Sequence, residues 1–494
     1  MTTTAAPPST RRVDAWNRAL TAHPGALDLT IRRDRVDGEI PHALRGGRLY
    51  SNGPGWNVIG GVNLHPFDGH GYVRSFSFES DGSVALRARF VDTPTYRDER
   101  RARHLIDRGL GTNPSESWWK NMQRGRARNV ANTTVVRWRD RLVAGWEGGL
   151  PHALDPESLA TRGEETFDGS IRGQVTLAHM KYEARTGRLI TCSVRVGRKT
   201  RLTFREIDGA DQVRATHEAE LPGLAFVHDF ALTPDWCIVG GNPIRLRVGA
   251  LARSLLGTST LIRAVATDER ATPAMHLVSR KGRGLRTVRL PDAGWIVHFG
   301  NAFQVGETVV VDACVLPDFE FGEEFGYTGT STPFDPSKPE SRGRQTFYRV
   351  TIPSAGDARW EPLTRHGVDF PRFHPAHEGL ETPVVFGATR ADVRFSDPFD
   401  SVIRVDLVDR SRPDSLWSVS EEQFVGEPIF VPKPDDPADG WVLTIVTRPL
   451  DGRSELVVLD ARDLARGPLA TVPMPLLPLA FHGEWDSGAS VSAE

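Results

Sequence analysis

The amino-acid sequence predicts an all-β chain closed into a seven-bladed propeller, with a helical and loop cap over one face. Three observations carry that expectation. Short runs rich in β-branched and aromatic residues recur between turn residues, from "GRLYSNGP" to "GWVLTIVTRPLDGRSELVVLDA". The punctuation "SDGS", "RDR" and "LDGRS" separates pairs of alternating runs as hairpin turns do. Long amphipathic segments between the runs, which a parallel α/β sheet requires, are scarce. At ~150 residues per domain, 494 residues suggest about three domains unless one large closed β architecture takes them all, as blades of four strands do. No WD or kelch signature repeats at a fixed period, so the repeat is one of geometry.

Taken in order, residues 1–30 read as a flexible N-terminal tail, 31–486 as a single propeller domain and 487–494 as a polar C-terminal tail. Two stretches inside the domain, 96–129 and 244–265, are helix-like and too long for turns, and are expected to cap one face. In the second, Leu251, Leu255 and Leu256 share a helical face with Val248 while Arg245, Arg247, Arg253 and Arg263 add positive charge. That profile fits peripheral membrane contact, or a cap with its leucines buried. Apolar residues at 39%, charged residues at 25% and a formal charge of -2 leave nothing to draw nucleic acid. The three cysteines, Cys192, Cys237 and Cys314, are widely spaced within strand-like runs, which suits structural thiols in a reducing cytoplasm. The N-terminus lacks the apolar core of a signal peptide, and no apolar stretch approaches the ~20 residues that span a bilayer. A cytoplasmic location is expected.

The chain has fifteen histidines. Most lie beside charges or in polar loops, as His104, His217, His366 and His377 do, and these are expected to face solvent. Four differ: His179 in "VTLAHMKY", His228 in "LAFVHDFALT", His298 in "GWIVHFGNAF" and His482 in "PLAFHGEW" each follow an apolar run. They are too far apart for a local metal motif, but strand ends from four blades can aim four imidazoles at one axial point. Imidazole suits Zn, Cu, Fe and Ni, and a neutral ligand set calls for carboxylates behind the rings. Glu147 in "AGWEGG", Asp369 in "VDFPRF" and Glu427 in "VGEPIFVP" are acids in apolar context, where an unpaired carboxylate is costly.

With these residues in view, the chain resembles a carotenoid cleavage oxygenase from about Val36 to Trp485. "VDGEIPHALRGGRLYSNGP" and "HPFDGHGYVRSFSF" are similar to the family's N-terminal signature, and "ANTTVV", "AHMKYEARTG", "VHDFALT", "HFGNAF", "DFPRF", "GEPIFVP" and "FHGEW" follow in the family's order. The resemblance implies a seven-bladed propeller with Fe(II) on its axis, held by His179, His228, His298 and His482. It implies that Glu147 supports His228, that Glu427 supports His482 and that Asp369 supports His298, leaving His179 without an acidic partner. The family usually carries Glu where Asp369 stands. The shorter side chain is expected to reach His298 through an inward shift of its backbone or through a water. Gln304, where family members often have an acid, reads as a neutral change away from the iron. Thr133 of "ANTT" matches a position that crowds an iron coordination site in the family and is the candidate catalytic residue beside the ligands; an ordinary strand threonine is the alternative.

Four histidines on an octahedral ion leave two cis positions for O2 or water, with no thiolate or haem to drive O–O cleavage, so the substrate must supply the electrons. A conjugated alkene does so, and the resemblance implies insertion of both oxygen atoms across one C=C to give two carbonyl products. The protein's part is then to position a polyene. Trp146, Phe230, Phe299 and Phe303, beside the ligand motifs, are expected to line its tunnel. The substrate expected is a carotenoid or apocarotenoid. The alternative is a phenolic stilbene or phenylpropenoid, read in one branch of the superfamily by a Tyr and Lys pair, for which Tyr96 and Arg128 stand as candidates. A non-enzymatic binding propeller is the third reading, and buried histidines backed by acids argue against it.

Overall fold

Alternation makes the strands, and burial on both faces explains why so many read as unbroken apolar runs. In Arg453–Asp460, Leu456 and Val458 pack toward the sheet built from the start of the chain, while Val457 and Leu459 pack toward the preceding sheet, and all four are at most 1% exposed. Full burial of such side chains contributes about 1.5–3 kcal/mol each. The computed structural model describes residues 10–122, 128–290, 294–317, 325–327, 329–330, 332–337, 344–395 and 397–488. It is a seven-bladed β-propeller.

One end strand of each sheet lies nearest its counterparts in the neighbouring sheets. These inner strands are Gly483–Asp486 in blade one, Thr134–Trp138 in two and Lys181–Glu183 in three. Blade four has Ala225–Phe226 and Phe230–Leu232, and blade five has Trp295–Val305. Asp369–Arg372 serves blade six, and Phe424–Val425 with Ile429–Lys433 serves blade seven. Blade one joins the two ends of the chain, because Gly483–Asp486 pairs antiparallel with Arg48–Ser51, Tyr50 opposite Glu484. A second closure comes from Asp37–Gly38, which pairs with Pro468–Pro475 on the outside of blade seven. Each of the seven junctions between successive blades holds its own apolar cluster. Cys192 and Cys237 lie in the junction of blades three and four and Cys314 in that of five and six, all buried free thiols. The three hairpins expected from turn residues are present, at Phe78/Val84, Trp138/Arg141 and Arg448/Arg453.

The expectation of a flexible tail over 1–30 is corrected from residue 10 onward, residues 1–9 lying outside the described residues. Helix α1, Thr10–Thr21, buries Ala15, Trp16, Ala19 and Leu20 on one stripe against Phe334 and Phe424. Trp16 Nε1 donates to Phe325 O at 2.9 Å and Asn57 Nδ2 to Leu20 O at 2.7 Å, so the middle and the C-terminal end of the helix are tied down. Leu27–Ile31 then pairs with Val84–Phe90 as the outer strand of blade one.

The cap holds three helices among the described residues: α2, Pro94–Ala102; α3, Trp118–Met122; and α4, Val248–Leu255. The helix-like reading of 244–265 is thereby shortened. Ile244–Leu246 continues the strand Trp236–Leu246 and is paired by Val265–Thr267, because the β-branched residues flanking α4 extend the sheet rather than the helix. The two insertions interlock: Arg108 Nη2 donates to Ser254 O at 2.7 Å, Asn121 Nδ2 to Gly257 O at 2.9 Å and Ile262 N to Leu110 O at 3.0 Å. Residues 123–127, within the first insertion, and 489–494, within the expected C-terminal tail, lie outside the described residues.

Candidate metal centre and substrate cavity

Blades one, three, four and five each bring one histidine to the axis, and blades two, six and seven each bring one carboxylate. His179 precedes the inner strand of blade three, His228 sits between the two short inner strands of blade four, and His482 immediately precedes that of blade one. His298 lies within the inner strand of blade five, at a bulge where Val297 and His298 fall between the paired residues Ile296 and Phe299. Gly300 is needed beside this bulge, since a Cβ there would stand 2.9 Å from the Phe347 ring. The four imidazoles converge: His228 Nε2 is 3.2 Å from His179 Nε2 and 3.1 Å from His298 Nε2, and the His482 ring centre is 4.5 Å from that of His179.

Behind the rings stand the acids. Glu147, just past the second strand of blade two, contacts Nδ1 of His228. Glu427 Oε1 is 2.8 Å from Nδ1 of His482, and Asp369 Oδ1 is 2.6 Å from Nδ1 of His298. Asp369 makes this contact directly, and the backbone explains how. Asp369 and Arg372 are paired across a bulge, Phe370 adopts a left-handed φ of 49°, and its N–H donates to Asp369 Oδ1 at 2.8 Å. Opposite, Gly387 makes room, because a Cβ there would sit 2.3 Å from Val368 Cγ1. The 2.6 Å contact leaves no room for a bridging water. Burial alone would raise the Asp369 carboxyl, but the His298 imidazole outweighs it and holds the carboxyl below its ordinary range. Burial likewise opposes ionisation of Glu427, yet Arg372 and His482 pull it down to about 2.

Arg372 was not singled out from sequence. Its guanidinium grips Glu427 through two bonds of 2.9 Å and donates to Gly483 O at 2.8 Å, locking the acid and the His482 strand together. His179 has Asp229 Oδ1 3.7 Å from its Nδ1, beyond hydrogen-bond reach, because Asp229 is engaged by Lys181 at 3.1 Å and by the Phe299 N–H at 3.0 Å.

The donor chemistry fits a metal ion. Nδ1 protons directed at three carboxylates leave the Nε2 lone pairs of His228, His298 and His482 facing inward. His179 is held neutral by burial first and then by its three imidazole neighbours, which keep it well below the ordinary histidine range. Lone pairs at 3.1–3.2 Å repel one another unless a cation lies among them. Among the described residues this is the one group of histidine, cysteine and carboxylate side chains placed to hold an ion. Burial by itself does not mark it: His65, His70, His152, His276 and His366 are each at most 4% exposed and belong to no such group. His366 corrects its surface assignment, since its Nδ1 meets Arg390 O at 3.2 Å.

His228, His298 and His482 form the closed end of a cavity of about 780 Å³. Thr133, Trp146 and Arg128 line it. Thr133 O also accepts the N–H of His482 at 3.3 Å. Tyr96, Phe230, Phe299 and Phe303 do not line it. Tyr96 packs on Phe90 and Trp56 at the foot of α2, and Phe230 packs on Phe204 in the blade junction. Phe299 is turned into the junction of blades four and five by the bulge that sends Val297 and His298 inward, and Phe303 lies under the Arg349 guanidinium. The aromatic wall is instead built from Phe67, Phe226, Phe325, Phe370, Phe424 and Phe481, with Trp16 from α1. Strand periodicity could have found Phe226, two residues before His228 and therefore on its face. Phe370 and Trp16 depend on the left-handed bend and on the docking of α1, which no local pattern reveals.

A family model described as retinal pigment epithelial membrane protein matches residues 23–487. The apocarotenoid-15,15'-oxygenase of Synechocystis is 33% identical over 486 residues, spanning 95% of this chain and 96% of that protein. Isoeugenol monooxygenase of Pseudomonas putida is 31% identical over 503 residues, spanning 94% and 97%. Carotenoid cleavage dioxygenase 7 of Oryza sativa is 30% identical over 539 residues, spanning 91% and 87%. The crystal structure of cobalt-substituted Synechocystis apocarotenoid oxygenase superposes with a TM-score of 0.88 at 31% identity, covering 96% of this chain and 98% of that one.

Proposed function

The chain belongs to the retinal pigment epithelial membrane protein family, that of the carotenoid cleavage oxygenases, and on that premise we propose that it cleaves one conjugated C=C bond of a carotenoid or apocarotenoid to two carbonyl products. The observation that carries the reading is a carboxylate-backed set of inward imidazoles closing an apolar cavity. Fe(II) held by His179, His228, His298 and His482 would activate O2 for insertion of both oxygen atoms across the double bond. The existence of a cobalt-substituted relative supports a metal ion as part of the working protein.

The side chains bind and orient. Phe226, stacked 12° from parallel with the His228 ring, and Phe370, 5.0 Å from the His482 ring, present flat apolar faces beside the ligands, against which a planar polyene lies. Thr133 narrows the space next to His482. No general acid or base is needed, and Glu147, Asp369 and Glu427 are occupied in holding imidazoles. The phenolic alternative draws support from the isoeugenol monooxygenase relatives. Against it, Tyr96 lies outside the cavity wall and Arg128 is committed to Glu99.

Metal-depleted protein reloaded with Fe(II) is expected to bleach a polyene and release two carbonyl fragments, with isotopically labelled O2 entering both. Iron-loaded, folded protein that leaves every polyene intact yet converts isoeugenol or a hydroxystilbene to an aldehyde would establish the alternative.

No helix among the described residues is long and apolar enough to cross a membrane. We assign to the cap a peripheral contact with the bilayer from which a greasy substrate is drawn, by a protein acting in the cytoplasm. Val248, Leu255 and Leu256, at 79%, 68% and 52% exposure, support this reading, and Leu255 also lines the cavity. Val248→Ser with Leu256→Ser, both outside the cavity wall, is expected to reduce co-sedimentation with lipid vesicles without changing turnover of detergent-solubilised substrate. Unchanged sedimentation refutes the contact.

A further inference from the structure

Two arginines stand in the cavity wall, and their charges are treated differently. The Arg128 guanidinium is neutralised: Nη1 pairs with the fully buried Glu99, Nη2 lies 3.2 Å from His70 Nε2, and Nε donates to Asp68 O at 2.9 Å. Arg108 has no carboxylate within ion-pair distance among the described residues. Its Nε donates to Asn113 Oδ1 at 3.1 Å, and its Nη2 to Ser254 O at 2.7 Å, Ser254 Oγ at 3.2 Å and Ser259 O at 3.1 Å. These neutral acceptors fix the plane of the guanidinium by one edge, leaving Nη1 without a hydrogen bond among the described residues. A half-buried cation beside an apolar cavity loses hydration, and neutral acceptors on one edge without a counter-charge repay only part of that loss.

The position gives the charge a use. Arg108 stands at the open end of the cavity, where Met122, Leu255 and Leu261 are 45%, 68% and 44% exposed, while the histidines occupy the buried end. A rod-like polyene placed with its conjugated body among the aromatic side chains presents its terminus to that open end. Guanidinium matches an oxygen acceptor there, best of all a carboxylate, which satisfies both charge and N–H direction.

We infer that Arg108 reads an oxygenated terminus of the substrate, so that the chain selects polyenes ending in a carboxylate or carbonyl over hydrocarbon carotenoids. This rests on the polyene-cleavage reading and assigns its substrate class. A role confined to clamping the cap would affect all substrates alike.

The test uses the full iron-loaded protein, Arg108→Met and Arg108→Lys, with three polyenes of matched length ending in carboxylate, aldehyde and hydrocarbon. Binding is read from quenching of tryptophan emission, since Trp16 and Trp146 line the cavity, and turnover as KM and kcat. Arg108→Met is expected to weaken binding and raise KM for the carboxylate by about 10- to 100-fold. A smaller change is expected for the aldehyde and none for the hydrocarbon, with kcat held and Arg108→Lys recovering part of the loss. Equal losses for all three polyenes, or no loss for any, overturn the inference. End-group-selective binding that is lost in Arg108→Met supports it even if no polyene is cleaved, and in that case the functional reading alone fails.

Discussion

Alanine at any one of His179, His228, His298 or His482 is expected to reduce turnover below detection and to strip the protein of iron. Each ring supplies one nitrogen to a cluster whose donor atoms all lie within 4.8 Å of one another, and no other histidine among the described residues belongs to it. The four variants should differ in stability, because their acids are left in different states. His298→Ala leaves the largely buried Asp369 with only the Phe370 N–H donating to it among the described residues, whereas His482→Ala leaves Glu427 gripped by Arg372. An orphaned buried carboxylate costs about 1–3 kcal/mol or more. His298→Ala should therefore melt below His482→Ala in metal-free preparations, where the contribution of bound metal to stability is removed. Iron content, turnover and thermal denaturation of the four, with the exposed His104→Ala as control, check both parts. A histidine variant that keeps full iron and activity removes that residue from the site.

Asp369→Asn is expected to lower iron affinity or turnover by about 10- to 100-fold, the usual consequence of losing the anion behind a ligating imidazole. The 2.6 Å contact to His298 Nδ1 is an ion-stabilised hydrogen bond, and an amide oxygen in its place accepts more weakly. Asp369→Glu keeps the charge but lengthens the side chain at a position whose bulge already brings the shorter carboxylate into contact. Its loss should be smaller than that of Asn, at the expense of a relaxed bend at Phe370. Wild-type behaviour of the Asn variant, with wild-type iron occupancy, would mean that His298 takes its support from elsewhere.

Much of the centre was legible because the relevant signals are local. A histidine at the end of an apolar run marks each of the four ligand positions, although His298 falls inside its strand at a bulge, and the order of motifs between Val36 and Trp485 carries the resemblance. The supporting acids were legible for a similar reason, as charged residues in apolar surroundings must find partners. The substrate wall was read poorly. Proximity in sequence to a ligand motif selected Phe230 and Phe299, which point into blade junctions, and Phe303, which packs under Arg349.

The sequence by itself determined the strand content, the closed β architecture and the identity of the metal-ligand candidates, because alternation, turn chemistry and the cost of burying polar groups act over a few residues at a time. Tertiary structure decided which side chains share a space. The bulge at His298 sends Val297 inward and Phe299 outward, and the left-handed Phe370 lets an aspartate reach its histidine directly. Helix α1, expected as a tail, became cavity wall through Trp16. Glu99 cancelled one wall arginine and left the other uncancelled. These outcomes rest on pairings between residues from about 30 to more than 300 positions apart, and such pairings are fixed only when blade packing sets the register and the direction of every strand.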